Sequence, residues 1–312
     1  EWLTDGVYVL GIEPFPEYTH AAADSAVRKS MPPVGESPIA RFPAMQKAAL
    51  SNGLKIILVH RPSVPLVHFG MVIDAGYATD RLAVPGTANL AMSMMDEGTQ
   101  SRTALQISDE LLRLGAQLST GADLDTSIVY LSALKPRLAA ALDLYADVIL
   151  NPSFPQQDLD RLKAQVIAGI QREKSEPMAM GLRVLPALLY GQEHPYGAPL
   201  TGTGFESTVA KLTREDMVRF HGNWVKPNNA TLIIVGDATL ADVQPALEKA
   251  FASWKAGDIP ENRFGDISRG KGRVFIMDKP DSPQSVVFAG FATLPKNNAD
   301  ETAVQALNTL LG

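Results

Sequence analysis

The sequence predicts an α+β protein with a mixed or antiparallel sheet covered by helices. Two observations support this prediction. Strand-like segments come in pairs before and after groups of helical segments, which favours antiparallel pairing over a regular βαβ repeat. The Asn52-Gly53 pair, followed by the β-branched run KIILVH, is typical of a tight turn that leads into a strand.

The individual elements follow from local patterns of apolar residues. Thr103 suits a helix N-cap because its hydroxyl can accept a backbone hydrogen bond, and Pro155 suits a first helical turn because it lacks an N–H. The predicted strands are 50–60, 64–76, two segments within 116–134 that are joined by a turn at 121–125, and 230–237. The predicted helices are 86–99, 103–114, 135–150, 155–174, 178–190, 213–224 and 240–254.

The chain is predicted to contain four parts. Residues 1–47 form an N-terminal arm or linker, because a β-like run at 6–14 precedes a proline-rich stretch that blocks helix and sheet ladders. Residues 48–256 form a complete α+β domain, and residues 257–272 form a linker. Residues 273–312 begin a second, homologous and truncated domain, since their strand–strand–helix order (273–278, 285–293, 299–311) repeats that of residues 54–95.

Composition excludes several classes of function. The formal net charge is −6 without long blocks of one sign, which argues against a nucleic-acid partner. Because there is no cysteine, thiolate nucleophiles, thiolate zinc sites and disulfides are excluded. No apolar run approaches the roughly 18 residues of a membrane helix, so no transmembrane segment is expected. The compartment stays open: an exported protein of the bacterial periplasm or membrane surface is favoured, and a cytoplasmic one remains possible.

Short catalytic motifs are absent or stand in the wrong context. Residues 265–272 match a G-x4-G-K phosphate loop, but Gly272 stands where Ser or Thr would bind magnesium and the motif precedes a strand, so a linker is the better interpretation. The sequence contains no G-x-S-x-G and no H-E-x-x-H. The histidines are His20, His60, His68, His194 and His221, and none has a second ligand at helical spacing. His221 is interpreted as structural.

The acidic residues near these segments are interpreted as solvated surface charges. Asp123 and Asp125 lie in a predicted turn, where aspartate commonly accepts from nearby backbone donors. The other carboxylates in this group are Asp96, Glu97, Glu173 and Glu176.

Seven segments carry a resemblance to a known family. In chain order they are LSNGLKIILV, AGYATD, PGTANL…EGT, LLRLGAQLSTGADLDTSIVYLSAL, ADVILNPSFPQQDLDRLKAQVIAGIQREKSEP, LLYGQEHPYGAPLTGT and VKPNNATLIIVGD. Together they resemble the pitrilysin/insulinase/mitochondrial processing peptidase family of zinc peptidases, over residues 48–255 in order. Residues 274–312 resemble the beginning of the family's second domain.

The resemblance implies a degenerate metal site. In that family the helix after the Pro-Gly turn carries His-x-x-Glu-His, whose histidines bind zinc together with a Glu on a later helix, while the motif's own Glu activates water. The first His falls on Asn89, the Glu on Met92 and the second His on Ser93 in the stretch GTANLAMSMMDEGT. The later ligand falls on Gly169, or on Ala168 if the register slips by one. The chain is therefore expected to bind no zinc and to hold no catalytic residues of its own.

The resemblance further implies a function within an assembly. Members of the family form clam-shells of two halves, of which one commonly lacks zinc and supplies chamber wall and substrate contacts. We expect a non-catalytic half, whose partners are a homologous zinc-bearing subunit or N-terminal half and peptide substrates. Two alternatives stay open. The chain is a scaffold, like the core subunits of the respiratory cytochrome complex, or it has a relocated metal site that uses His60, His68 or Glu173.

Overall fold

The computed structural model describes residues 35, 43–262, 264–265, 267, 271–282 and 284–311 of the 312-residue chain. The chain divides into two units, Glu1–Phe42 and Pro43–Gly312, and the elements given below belong to the second. The strand-like run predicted at 6–14 and half of the residues of the G-x4-G-K match at 265–272 lie outside the described residues. The division into four parts stays a prediction.

Six strands of the described residues form one mixed sheet. They are β1 (Gln46–Ala49), β2 (Lys55–His60), β3 (Leu66–Ile73), β4 (Gln117–Ala122), β5 (Ser127–Leu134) and β6 (Ala230–Gly236). Their order in the sheet is β1-β2-β6-β3-β5-β4. Only the β2–β6 pair is parallel within this sheet, with Ile57 opposite Ile233, and the other neighbouring pairs are antiparallel. The predicted α+β class with a mixed sheet is confirmed.

The described residues also form helices. They are α1 (Thr87–Ser93), α2 (Ala104–Leu114), α3 (Leu138–Leu150), α4 (Gln156–Ser175), α5 (Pro177–Tyr190), α6 (Glu206–Val209), α7 (Arg214–Trp224), α8 (Leu240–Ala250) and α9 (Glu301–Leu311). Short 3-10 turns lie at Tyr77–Leu82, Lys135–Arg137, Pro195–Gly197 and Pro227–Asn229. Among the described residues, no helix has both the length and the apolar character that crossing a bilayer requires.

The core lies between one face of the sheet and the helices. Along β3, Val67, Phe69, Met71 and Ile73 are fully buried and alternate with half-exposed residues. This period of two is expected of a strand with one face against a core. α3 packs on β5 and α8, and its Tyr145 is fully buried between them.

Local signals set most helix ends as predicted. Thr103 caps α2, accepting from the Gln106 N–H while the Gln106 side chain accepts from the Thr103 N–H. Thr213 and Thr239 cap α7 and α8 in the same way with an aspartate three residues on. Pro155 stands at the N-cap of α4, one position before the first turn where it was predicted.

Some boundaries differ from prediction. The helix predicted at 86–99 ends at Ser93, and the chain then turns toward Gly98, whose φ of +152° favours glycine. The helix predicted at 240–254 ends at Ala250. The strand β1 and the helix α6 were not predicted, because four residues are too few to show a period.

The strands predicted at 273–278 and 285–293 are wrong for the described residues of those segments, which pair with no described strand. Their apolar side chains stand largely in solvent: Val274 is 90% exposed, Ile276 92% and Val287 87%. Two strands alone are at best marginally stable, so β-propensity without a neighbouring sheet does not produce a ladder. The helix predicted at the end of this part is present as α9.

Tyr145 provides a test of the core. Its hydroxyl donates to the Val129 carbonyl at 2.6 Å and accepts from the Met71 N–H at 3.0 Å, so it links α3 to β5 and β3. Tyr145→Phe leaves both backbone groups buried without this partner. We expect the free energy of unfolding, measured by urea denaturation, to fall by about 2–6 kcal/mol, because each of the two unsatisfied groups costs about 1–3 kcal/mol.

The control for this measurement is Tyr130→Phe on β5. Its half-buried hydroxyl contacts the imidazole of His68, and its removal is expected to cost about 1 kcal/mol. Equal losses for the two variants would show that the Tyr145 hydroxyl does not hold the sheet to α3.

Candidate functional site

The helix α1 lies at the centre of the candidate site, and a buried carboxylate holds its N-terminus. Asp80 is 4% exposed and accepts from the N–H groups of Gly86 at 2.7 Å and Ala88 at 2.9 Å. These donors belong to the first turn of a helix, which has no intrahelical acceptors for them. Gly86 precedes the helix with φ +100°, a conformation that favours glycine.

The pKa of Asp80 is strongly perturbed. Burial raises it to about 7, against the opposing effect of the backbone N–H groups of Ala88, Gly86 and Thr87, which favour the charged form. Asp80 therefore combines a structural role with a titration near neutral pH.

The three family positions on α1 lie in two environments, a half-buried face and the core. Asn89 and Ser93, one turn apart, are both half-buried. Met92 is fully buried, as are Met94 and Met95 just after the helix. Methionine is flexible enough to fill irregular space in a core, so this side of α1 is apolar packing. α1 packs against α7 and β4.

The later ligand position lies on α4. A Cβ built on Gly169 would meet no atom within 4 Å, so the position has room for a side chain. Gly169 is half-buried and its neighbour Ala168 is exposed. Neither carries a group that can bind a metal or move a proton.

One turn after Gly169, Glu173 is engaged by Arg183 of α5. The guanidinium Nη1 lies 2.5 Å from Glu173 Oε2, and the residue Arg183 is 8% exposed. The interpretation of Glu173 as a solvated surface charge is therefore wrong. A buried arginine requires a partner of opposite charge. Glu173, ten positions before Arg183 in the sequence, is that partner.

The segment between α5 and α6, which we call loop 191–205, joins this ion pair to α1. Arg183 donates to Thr203 Oγ1 at 2.9 Å and to the Gly204 carbonyl at 2.5 Å. The Asn89 side-chain amide donates to the Thr201 carbonyl at 3.3 Å, and the Thr201 hydroxyl lies 3.4 Å from Glu173 Oε2. The amide at the first degenerate position thus contacts the protein's own backbone.

A proline in α5 leaves a helix carbonyl free to accept a hydrogen bond from this loop. Pro186 has no N–H, so the Leu182 carbonyl lacks its usual donor four residues later. The Leu200 N–H donates to it at 3.3 Å. Gly204 has φ +68°, and a Cβ there would lie 2.4 Å from the Pro85 carbonyl oxygen, so the loop approaches the N-terminus of α1 closely.

A zinc ion does not fit the residues at the four family positions. Asn89 and Ser93 are poor zinc ligands, Met92 is a buried thioether and Gly169 has no side chain. In the described part of the chain, no group of three or more His, Asp or Glu side chains is arranged to hold a metal ion.

The histidines proposed for a relocated site each have another partner. His60 Nδ1 lies 3.0 Å from the Ala238 carbonyl, and His68 Nδ1 lies 2.5 Å from the Tyr130 hydroxyl. Glu173, the third candidate, is paired with Arg183. The structure does not bring the three together. His221 Nε2 donates to the Ile149 carbonyl at 2.7 Å, which agrees with its structural interpretation.

Comparisons with known proteins identify the family of the chain. Residues 55–204 match the family model described as Insulinase (Peptidase family M16), and residues 211–312 match the model described as Peptidase M16 inactive domain. The fold and these matches define a peptidase-type α+β domain. The chain belongs to the insulinase family of peptidases, family M16.

Two relatives illustrate the likeness. An uncharacterized zinc protease of Mycobacterium leprae is 26% identical over 89% of this chain and 62% of its own length. The probable mitochondrial-processing peptidase subunit beta of Arabidopsis thaliana is 22% identical over 86% of this chain and 51% of its own length. The chain therefore spans less than two thirds of the length of these relatives.

Solved structures share the fold. A crystal structure titled peptidase M16 inactive domain, from Pseudomonas fluorescens, has a TM-score of 0.67 and 25% identity, covering 72% of this chain and 54% of that one. The periplasmic protease PqqL of Escherichia coli has a TM-score of 0.62 and 19% identity, covering 72% of this chain and 25% of that one. The second comparison shows the fold alone.

Sequence reasoning missed Asp80 and Arg183. Arg183 is the one charged residue in the α5 sequence PMAMGLRVLPALLY, and a lone charge in an apolar helix is a signal of a buried, paired side chain. Asp80 precedes the Pro-Gly turn by five residues, and only the folded 3-10 turn at Tyr77–Leu82 aims it at α1.

The Asp80 carboxyl predicts a pH dependence of stability. Because its pKa is raised from 3.8 to about 7 on folding, ionisation is disfavoured in the folded state. The corresponding stability is fully present below about pH 4 and is lost as pH rises toward 7, with a slope on the order of 1.4 kcal/mol per pH unit. Urea denaturation between pH 4 and 8 measures this slope.

The control for this measurement is Asp80→Asn, which cannot ionise. His221 acts in the opposite direction, since burial lowers its pKa and stability then rises with pH. The difference between wild type and Asp80→Asn therefore isolates Asp80. Parallel pH profiles for the two proteins would contradict the assignment.

Proposed function

We propose that this chain is the non-catalytic half of a zinc-dependent peptidase assembly, which contributes chamber wall and peptide contacts to a homologous zinc-bearing half. The observation that supports this most directly is the side-chain set at Asn89, Met92, Ser93 and Gly169. Metal-assisted hydrolysis needs a bound divalent ion and a base within reach of its water, and these residues supply neither.

The comparisons support the same direction. Relatives named zinc protease supply a family background of peptide hydrolysis, and the match of residues 211–312 is to a model described as inactive. A relative named as a subunit supports an assembly of more than one chain. The partner is a homologous subunit or the other half of a longer chain.

The sheet edge supports peptide binding. β4 pairs with β5 on one side and with no described strand on the other, and α1 packs beside it. An edge strand offers unpaired N–H and C=O groups to an extended peptide. A peptide laid along β4 would run past the degenerate positions and on toward the partner half.

Metal content and activity test the proposal. Purified chain is expected to contain no stoichiometric zinc by elemental analysis and to cleave no unstructured peptide. Co-expression with a homologue from the same genome that carries His-x-x-Glu-His is expected to give a copurifying, EDTA-sensitive peptidase. Stoichiometric zinc together with EDTA-sensitive cleavage by this chain alone would reject the proposal.

The co-expression experiment also distinguishes a peptide-binding half from a purely structural scaffold. If the chain copurifies with the zinc-bearing homologue but the homologue cleaves peptides equally well alone, the chain is a structural subunit, and the peptide-binding part of the proposal is wrong.

Introducing zinc ligands tests whether Asn89, Ser93 and Gly169 occupy the positions of the family's metal ligands. Asn89→His and Ser93→His combined with Gly169→Glu is expected to retain about one zinc per chain after dialysis, because a catalytic-type zinc site has three protein ligands and a water in the fourth position. Met92 is left in place, since a Glu there would be a base rather than a ligand and would enter the core. Cobalt substitution, read by visible absorption, reports the coordination geometry.

Two matched variants decide the register on α4. The double variant Asn89→His, Ser93→His lacks the carboxylate, and the triple variant with Ala168→Glu moves it by one residue. Zinc retention by the Ala168 variant alone would correct the register. Retention by no triple variant would show that these backbone positions are not those of a metal site.

A further inference from the structure

We infer that Arg183 is a positioning residue, a fixed internal cation that holds loop 191–205 against α1 and α4. The inference goes beyond the proposed function and is tested on this chain alone. It rests on the contacts of a single buried guanidinium with groups from two separate segments, α4 and loop 191–205.

The first step is that the guanidinium is satisfied in three directions. Its two terminal nitrogens reach the Glu173 carboxylate of α4, the Thr203 hydroxyl and the Gly204 carbonyl. The planar fork of arginine suits such divergent acceptors, whereas a lysine ammonium presents a single point charge. Its charged face also lies 5.9 Å from the centre of the Phe205 ring.

The second step is that these contacts extend to α1. Thr203 and Thr201 share a hydroxyl hydrogen bond of 2.8 Å, and the Thr201 hydroxyl also reaches Glu173. The Thr201 carbonyl accepts from Asn89. The position of Asn89 in contact with the loop therefore depends on an ordered Thr201, and Thr201 is ordered by the ion pair.

The third step is that the other attachments of the loop are weaker or more peripheral. The Leu200 N–H reaches Leu182 at 3.3 Å, and the Leu200 carbonyl accepts from the hydroxyl of Tyr77 at 2.8 Å. Both bonds are made at one residue, and the attachments of Glu193 to Arg81 and of Tyr196 to Asp125 lie in the first part of the loop, away from residues 201–204. The segment from Thr201 to Gly204 relies on Arg183 for its charged contact, and a charge-assisted bond is roughly twice as strong as a neutral one.

Hydrogen exchange with mass spectrometry tests the inference. Arg183→Ala is expected to raise amide exchange in a peptide covering residues 199–205 by about tenfold or more, with a much smaller change in a β5 peptide, because local opening precedes global unfolding. Ethylguanidinium at low millimolar concentration is expected to restore protection by filling the vacated site, and ethylammonium is not. A merely structural packing role would not distinguish the two ions.

The matched control is Arg161→Ala. Arg161 also joins α4 to the segment after α1, through Glu97 at 2.6 Å, but its side chain is 43% exposed. Such an exposed pair contributes little, so exchange in residues 199–205 is expected to stay at the wild-type rate.

Two further variants cover a failure of Arg183→Ala to fold. Arg183→Lys is expected to give partial protection, and Glu173→Gln is expected to loosen the same peptide. Wild-type exchange in all variants, an increase of equal size across the sheet, or the same effect from Arg161→Ala would each overturn the inference.

Discussion

The insertion of β6 between β2 and β3 is the constraint on which the rest of the structure depends. β2 and β3 follow each other in the chain, yet neither pairs with the other; residues Ala230–Gly236 lie between them and pair with both. The central sheet is therefore complete only when a strand about 160 residues further along has arrived, which costs loop-closure entropy before the contacts form. The elements around the candidate site, from α1 to loop 191–205, all lie in the chain between β3 and β6. Its geometry is thus fixed from both ends by one sheet.

Within this frame, α1 combines a polar N-terminus with an apolar body. Asp80 satisfies orphan N–H groups at a buried helix end, where an unpaired donor would be costly. Met92, on which the resemblance places the family's catalytic glutamate, is fully buried, so this position lies in packed core. A lone substitution that restored a carboxylate there would face desolvation before it met a reacting group. Catalysis at this position is therefore disfavoured by the packing around Met92 as well as by its thioether side chain.

The sequence predicted well what depends on neighbouring residues. The N-cap at Thr103 and the turn at Asp123 were predicted because the interacting groups lie three residues apart or fewer. The strand order could not be predicted, since nothing in KIILVH or in ATLIIVG specifies which strand lies beside it. The failed strands after residue 272 show the same limit, because β-propensity is realised only against a partner. At the site, the absence of suitable donors at Asn89 and Ser93 was visible in the sequence, whereas the Arg183 contacts required the fold of loop 191–205.

The buried Arg183–Glu173 ion pair organises its surroundings differently from a metal centre. A metal ion draws several side chains together by bonds of fixed length and depends on a supply of that ion. A guanidinium carried by the chain is always present and always charged, and it reaches its acceptors from one direction, since it is tethered to α5. Because both charges lose their hydration, such a pair contributes little net stability by itself. Its effect is to select one arrangement of the groups that accept hydrogen bonds from the guanidinium. In this chain those acceptors belong to α4 and to the loop that touches α1, so the arrangement permitted is the one in which loop 191–205 lies in contact with both helices.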